Sequence, residues 1–244
     1  MPKRPEFLNL VFKQAINYFK RKNVFPTPRG AKYQEGMYNH AFMVQGLTKA
    51  NLLEDIRWLL GRALEDGTSH EDFTKSFNRL VGRKGWQPGG DRVQKIFTTN
   101  MRQAYRGGRY EQIQDIASKI PDGGIMWIHR TPDQEFGGNP RPEHKALDGK
   151  VFPNNSPFWD KAFPQCAWGC RCGAVHLSPR QMQALGKQME TPPNANSIAD
   201  PGFRYAPAND NVRDRTAFLQ DGLNQLSPEL RQATEQDLQS KGVL

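Results

Sequence analysis

Between Arg141 and Cys172 the chain reads RPEHKALDGKVFPNNSPFWDKAFPQCAWGCRC. This stretch holds all three cysteines of the protein, Cys166, Cys170 and Cys172, with His144 ahead of them. Thiolates and an imidazole are what zinc takes in a closed tetrahedral centre, so His144, Cys166, Cys170 and Cys172 could form a Cys3His site. If Cys170 and Cys172 share a strand, their thiols point to one face and reach one ion. Cys-x-Cys is not the Cys-x2-Cys of a zinc knuckle, however, and only one such half is present. His129 and His176 add nitrogens without diagnostic spacing. The same residues admit a nucleophilic arrangement, with Cys170 or Cys172 attacking, His144 as base and Asp148 or Glu143 orienting it. They also suit a third role, as small buried residues of a compact core. No glycine-rich phosphate loop, His-Glu-x-x-His or nucleophile elbow accompanies them. The expectation is therefore a protein that is not an enzyme, with no catalytic residue and no cofactor. Zinc on the four-residue set is the one metal the pattern could hold.

The elements that must position these residues divide the chain by character. Residues 1–34 read as a basic N-terminal arm: an amphipathic helix from Pro5 to about Lys22, with Leu8, Phe12, Ala15 and Phe19 at helical spacing, ended by VFPTPRG. Residues 35–120 read as helical. Leu52, Leu53, Ile56, Leu59, Leu60 and Ala63 form one stripe of a helix expected from about Lys32 to Asp66, with Gly67 terminating it. SHED at Ser69–Asp72 resembles a capping box, and a further helix is expected from about Asp91 to Lys119, weakened or kinked at Gly107–Gly108. Residues 121–190 read as a compact, loop-rich α+β module. GIMWIHR, DGKVF and CRCGAVHL supply short strands there, and SPRQMQALGK a capped helix. Residues 191–244 are an irregular Pro- and Asn-rich connector followed by one or two short polar helices. The fold class is thus α+β, a helical N-terminal half with an extended arm and then a module of short antiparallel strands. Within the module Arg141, Asp148, Gly149, Trp159, Trp168 and Arg171 read as an interlocked structural set, with Gly149 supplying the turn of LDG.

Charge placement says more than net charge. The formal charge is +9, yet residues 1–34 carry eight Lys/Arg against one acid, as do residues 79–109. Two such concentrated segments point to a polyanion or an acidic protein surface as partner. At 100° per residue Arg92, Lys95, Arg102, Arg106 and Arg109 fall within about a third of the helix circumference. Guanidinium rows suit phosphates and carboxylates, and no base-reading motif is present, so nucleic-acid contact would be sequence-independent. No stretch approaches the ~20 apolar residues that span a bilayer, the N-terminus lacks a signal-peptide pattern, and no membrane partner is expected.

The residues also carry a resemblance. R-P-E-H-x-A-L-D-G-K-V-F, then PFWD, then P-x-x-x-W-G-C-R-C resembles the signature of the phage Mu F-like minor head proteins. These belong to the wider head morphogenesis family that includes the SPP1 minor head protein. FTTNMRQAYRGGRYEQ at Phe97–Gln112 and DPGFRYAPAN at Asp200–Asn209 resemble two further segments of that family, so the likeness covers roughly residues 45 to 210 in family order. The family pattern has Asn-Gly before Trp-Gly-Cys-Arg-Cys where this chain has Gln165–Ala167, so Cys166 is an addition of this sequence. The resemblance implies a minor structural protein of a tailed-phage head, incorporated during capsid assembly. Its implied partners are the portal protein and the major capsid protein or scaffold, with packaged double-stranded DNA as a non-sequence-specific contact. It implies a place in the virion near the portal vertex, reached from the host cytoplasm. Two rivals come from other classes. One is an enzymatic domain, nucleotide- or protein-modifying and toxin-like; the other is a DNA-binding protein acting outside any particle.

Overall fold

A computed structural model describes residues 12–32, 36–129, 141–167, 169–206 and 212–244. The chain forms two compact units, residues 1–108 with 210–244, and residues 109–209. The fold is α+β.

The first unit is helical. Helix α1 (Lys13–Lys20) buries Ala15, Ile16, Tyr18 and Phe19, as its spacing predicts. Far from being an extended arm, residues 12–32 belong to the unit's own core, because Phe19, Val24 and Phe25 are all but fully buried. The expected positions Pro5 and Leu8 lie outside the described residues. Strand β1 (Asn23–Val24) pairs in parallel with β2 (Ala41–Phe42), so what reads as a linker contributes to a sheet. Helix α2 (Met37–His40) precedes β2, and the main helix α3 runs only from Ala50 to Asp66. The expected start at Lys32 is too early by this strand and the turns around it. Leu52, Leu53, Ile56, Leu60 and Ala63 bury one stripe of α3, and Gly67 ends it at φ +63, its N–H bonded to the carbonyl of Ala63. Helix α4 (His70–Arg83) starts where Ser69 accepts the N–H of Asp72 at 3.1 Å.

Helix α5 (Gly90–Lys119) runs unbroken through Gly107–Gly108. A Cβ at Gly107 would fall inside the ring of Tyr18, and one at Gly108 would collide with the backbone of Ala15. The pair is therefore not a flaw in the helix but the place where α1 comes closest to it. Lys22, 2% exposed, then reaches across to donate to the carbonyl of Tyr38 at 2.6 Å and to Gln103 Oε1 at 3.1 Å. The C-terminal helices α9 (Val212–Asn224) and α10 (Pro228–Ser240) complete the same unit. Phe218, Leu219, Leu223 and Leu238 close a core with Phe25, Met37 and Ala41. This C-terminal segment is an integral part of the helical unit.

The second unit holds the signature. It begins with the last residues of α5. A three-stranded antiparallel sheet in the order β4-β3-β5 follows, from β3 (Gly124–Ile128), β4 (Val151–Pro153) and β5 (Gly173–Leu177). Three short helices decorate it: α6 (Pro142–Lys145), α7 (Phe158–Ala162) and α8 (Pro179–Ala184), the last capped as expected, by a capping box of Ser178 and Gln181. Tyr110, Trp127, Phe152, Phe158, Trp159 and Phe163 are buried aromatics of the core. Ile198, Ala199 and Ala206 pack into that core as well, so the connector after residue 190 belongs to the module instead of leaving it.

Candidate thiol and imidazole centre

The sheet register creates the site. Ile128 of β3 pairs with Gly173 of β5. One residue beyond this last pair on each chain stand His129 and Cys172, and Nδ1 of His129 lies 3.5 Å from the Cys172 sulfur. The two cysteines of Cys-Arg-Cys thus precede the strand and do not alternate on it. Their thiols converge nonetheless, because the chain turns at Gly169, φ +71, immediately before them. Arg171 sits half-buried between them.

His144 comes from α6, a single turn started by Pro142, where the ring is 2% exposed. Trp127 holds it edge-on at 5.6 Å between ring centroids. Its Nε2 lies 2.9 Å from the backbone carbonyl of Ile198. A carbonyl can only accept, so Nε2 carries a hydrogen, and in the neutral ring Nδ1 presents its lone pair. That lone pair faces Cys170 at 3.7 Å and Cys172 at 3.8 Å. The ligand atoms of His144, Cys170 and Cys172 all lie within 4.8 Å of one another.

Cys166 takes a different position from the one expected. Its sulfur lies 3.7 Å from Nε2, the nitrogen turned away from the other pair, and its S–H points to the Ile198 carbonyl at 3.9 Å. Cys166 thus contacts His144 from the Nε2 side and hydrogen-bonds Cys170, and it is not one of the three residues whose ligand atoms lie within 4.8 Å of one another.

The signature residues hold this core in place. Arg141 pairs with Asp200 at 3.1 Å, and the N–H of Asp200 donates to the Cys166 carbonyl at 2.9 Å. Arg204 Nε donates to the carbonyl of Ala199 at 3.1 Å. The DPGFR segment is therefore a brace that fixes the Ile198 carbonyl against His144. Asp148 accepts the N–H of His129 at 2.8 Å, and Gly149, φ +71, makes the turn that brings Asp148 there. Trp159 is buried with its Nε1–H on the carbonyl of Pro153 at 3.0 Å. Trp168 lies outside the described residues. His129, Ile198 and Asp200 are the contributors that spacing alone does not single out.

Electrostatics favour the thiolate. Hydrogen bonds from Cys166 and Cys172, outweighing burial and aided by His144, hold the Cys170 thiol far below the ordinary cysteine range. Burial alone would pull His144 down, but its contacts with Cys170 and the Ile198 carbonyl lift it above its usual value. Among the described residues, the expected orienters of a nucleophilic arrangement do not face His144. The orienter of His144 is a backbone carbonyl, Asp148 is engaged by a peptide N–H, and Glu143 is exposed on α6. Cys170 and His144 are both buried. A surface cleft of ≈ 330 Å³ in the same unit is lined by Ser156, Phe158, Lys161 and residues 192–196, and none of the cluster lines it.

The arginine row is also revised. Arg106 is 6% exposed beside Lys22, because α1 covers that stretch of α5. Arg92 donates to the carbonyl of Gln45 and lies 5.1 Å over the ring of Trp86. Arg109 is exposed and donates to Gln112 Oε1 at 2.6 Å. Lys95 is exposed and Arg102 half-buried. No helix among the described residues is long and apolar enough to cross a membrane.

Residues 54–175, half of the chain, match the family described as Phage Mu protein F like protein. The chain belongs to the Mu F-like family. The match takes in His144, all three cysteines, β3, β4, the start of β5 and most of α3. Over 194 residues the chain is 29% identical to the "Putative capsid assembly protein F" of Escherichia phage Mu, covering 72% of this chain and 43% of that protein. Over 170 residues it is 28% identical to the "Mu-like prophage FluMu F protein" of Haemophilus influenzae, 64% of this chain and 39% of that one. The chain thus spans about two fifths of the length of these relatives. No solved structure matches it.

Proposed function

We propose that this Mu F-like chain is a structural protein of a tailed-phage head, acting in capsid assembly and not as an enzyme. The observation that carries the proposal is the continuous likeness to the Mu capsid assembly protein F, which extends over 72% of the chain. The site chemistry agrees with it. Cys166, Cys170 and His144 are buried in the core of the second unit, Cys172 is half-buried, and none of them lines the surface cleft described above.

In this role the signature module keeps its shape while the helical unit docks on other head components, the portal among them. Exposed cations supply the electrostatic part: Lys95 on α5, with Arg79 and Arg83 on α4, in a segment whose sole acid is Asp91. Contact with an acidic shell or portal surface, or with the phosphates of packaged DNA, is charge-driven and weakens as salt rises. The test is binding of the purified chain to the portal protein, to capsid shells and to duplex DNA across a salt series. Saturable binding to a head component, weakened by Lys95→Glu with Arg79→Glu, supports the proposal. Binding to DNA of any sequence and to no head component would favour a DNA-binding protein acting outside the particle.

A further inference from the structure

The cluster in the second unit has the geometry of a metal centre. In a tetrahedral zinc site with Zn–S near 2.3 Å and Zn–N near 2.0–2.1 Å, an imidazole nitrogen and a thiolate sulfur sit about 3.6 Å apart. The observed separations are 3.7 and 3.8 Å from His144 Nδ1 to Cys170 and Cys172, and 3.5 Å from His129 Nδ1 to Cys172. A catalytic cysteine–histidine pair selects one sulfur, whereas here one lone pair stands nearly midway between two. That is the place of a shared ion.

The surroundings are those of a ligand set. Metal-bound histidine characteristically gives its second N–H to a carbonyl or carboxylate, which fixes the tautomer. His144 does so to Ile198, and that carbonyl is held by the Arg141–Asp200 brace. The backbone of His129 is anchored by Asp148. Sulfur and nitrogen donors in a closed, mostly buried site select zinc over the hard cations, which prefer oxygen.

We propose that His144 Nδ1, Cys170 and Cys172 bind one zinc ion, and that His129, whose Nδ1 is 3.5 Å from Cys172 but not within 4.8 Å of all three, moves in as the fourth ligand when the ion binds, with Cys166 as an outer-shell thiol on the Ile198 carbonyl. The ion ties the open end of the β3–β5 pair to α6 and to the Cys-Arg-Cys turn. Its role is structural: it closes a module whose regular elements are too short to be rigid alone.

Zinc content of the full chain, purified without chelator, is measured by mass spectrometry, and Co2+ is then titrated into chelator-treated protein whose fold is checked by circular dichroism. The expected result is about one zinc per chain and a Co2+ spectrum with thiolate charge-transfer and intense tetrahedral bands. Those bands are lost in Cys172→Ser and His144→Ala, weakened in His129→Ala and retained in Cys166→Ser. Wild-type protein also melts at a lower temperature after chelation, a readout that needs no variant to fold. Substoichiometric zinc with no Co2+ spectrum from a folded apo chain overturns the proposal. So does a disulfide among the three cysteines of the freshly purified protein. Loss of the bands in Cys166→Ser as complete as in Cys172→Ser overturns the ligand assignment.

Discussion

Lys22 offers a test of how the helical unit is built. Its amine is buried where α1 approaches α5, with two neutral acceptors, Tyr38 O and Gln103 Oε1, and the ring of Tyr18 at 4.9 Å from the charge. No carboxylate is among the contacts that define its state. Burial, reinforced by the nearby Arg106, pushes its pKa from 10.5 down to about 7. The unfolded chain holds this proton up to about pH 10.4, while the folded chain releases it near 7. Between those values the unfolded state binds more protons, so folding stability rises with pH at up to about 1.4 kcal/mol per unit. From pH 7 to pH 8.5, integration gives a gain of about 1.5 kcal/mol. Other groups titrate over the same range, so the quantity to measure is the difference between the wild type and Lys22→Met in urea unfolding at each pH. Methionine keeps the stem but leaves two acceptors unpaired, a penalty of about 1–3 kcal/mol that does not vary with pH. Above pH 7 the wild type should gain on the variant by about 1.5 kcal/mol. A difference that stays constant across this range would show that the folded chain keeps Lys22 protonated well above pH 7, so that its amine is not desolvated as described, and the packing of α1 on α5 would need another description.

Three further outcomes are expected. Gly107→Ala should lower stability by about 2 kcal/mol or more in thermal unfolding, because overpacking against Tyr18 exceeds the ~1 kcal/mol helix-propensity gain; a stabilised variant would contradict the close approach. Arg141→Ala should cost at most about 1 kcal/mol of stability, since the Arg141–Asp200 pair is partly exposed, yet it should weaken Co2+ binding by loosening the Ile198 carbonyl; unchanged affinity would remove the brace from the site. Lys95→Glu should reduce salt-sensitive binding to head components while leaving the melting temperature within a degree or two. Arg106→Ala should behave in the opposite way, lowering stability because its side chain is buried. Equal behaviour of the two variants would argue against the division of the α5 face.

Elements specified by their own residues are legible in the sequence. The stripe of α3, the Ser69 cap, the length of α5 and the Ser178 capping box each follow from local periodicity and terminal chemistry. What is not legible depends on partners distant in the chain. Residues 32–49 carry enough helix-compatible side chains to read as the start of α3, but Ala41 and Phe42 are drawn into a parallel pair with Asn23 and Val24. Gly107–Gly108 reads as a flaw because propensity counts only the helix itself, while the cost is offset by α1 fitting against it. Arg106 falls on the polar face by angle and is buried for the same reason. At the site, His144, Cys170 and Cys172 stand out because rare residue types cluster in one stretch. His129 becomes visible only through the β3–β5 register, and the Ile198 carbonyl has no side-chain signal at all. Cys166 already stands apart in the sequence as a departure from the Trp-Gly-Cys-Arg-Cys pattern, and the structure adds that it meets the His144 ring from the Nε2 side.

The head-assembly role is decided by where the polypeptide is found. Procapsids and DNA-filled heads of the encoding phage are purified, and the chain is quantified by mass spectrometry against the portal protein. A reproducible, low stoichiometry in both particles is the predicted result. Absence from procapsids and mature heads alike, with the polypeptide abundant in the lysate, would contradict a structural role in the head.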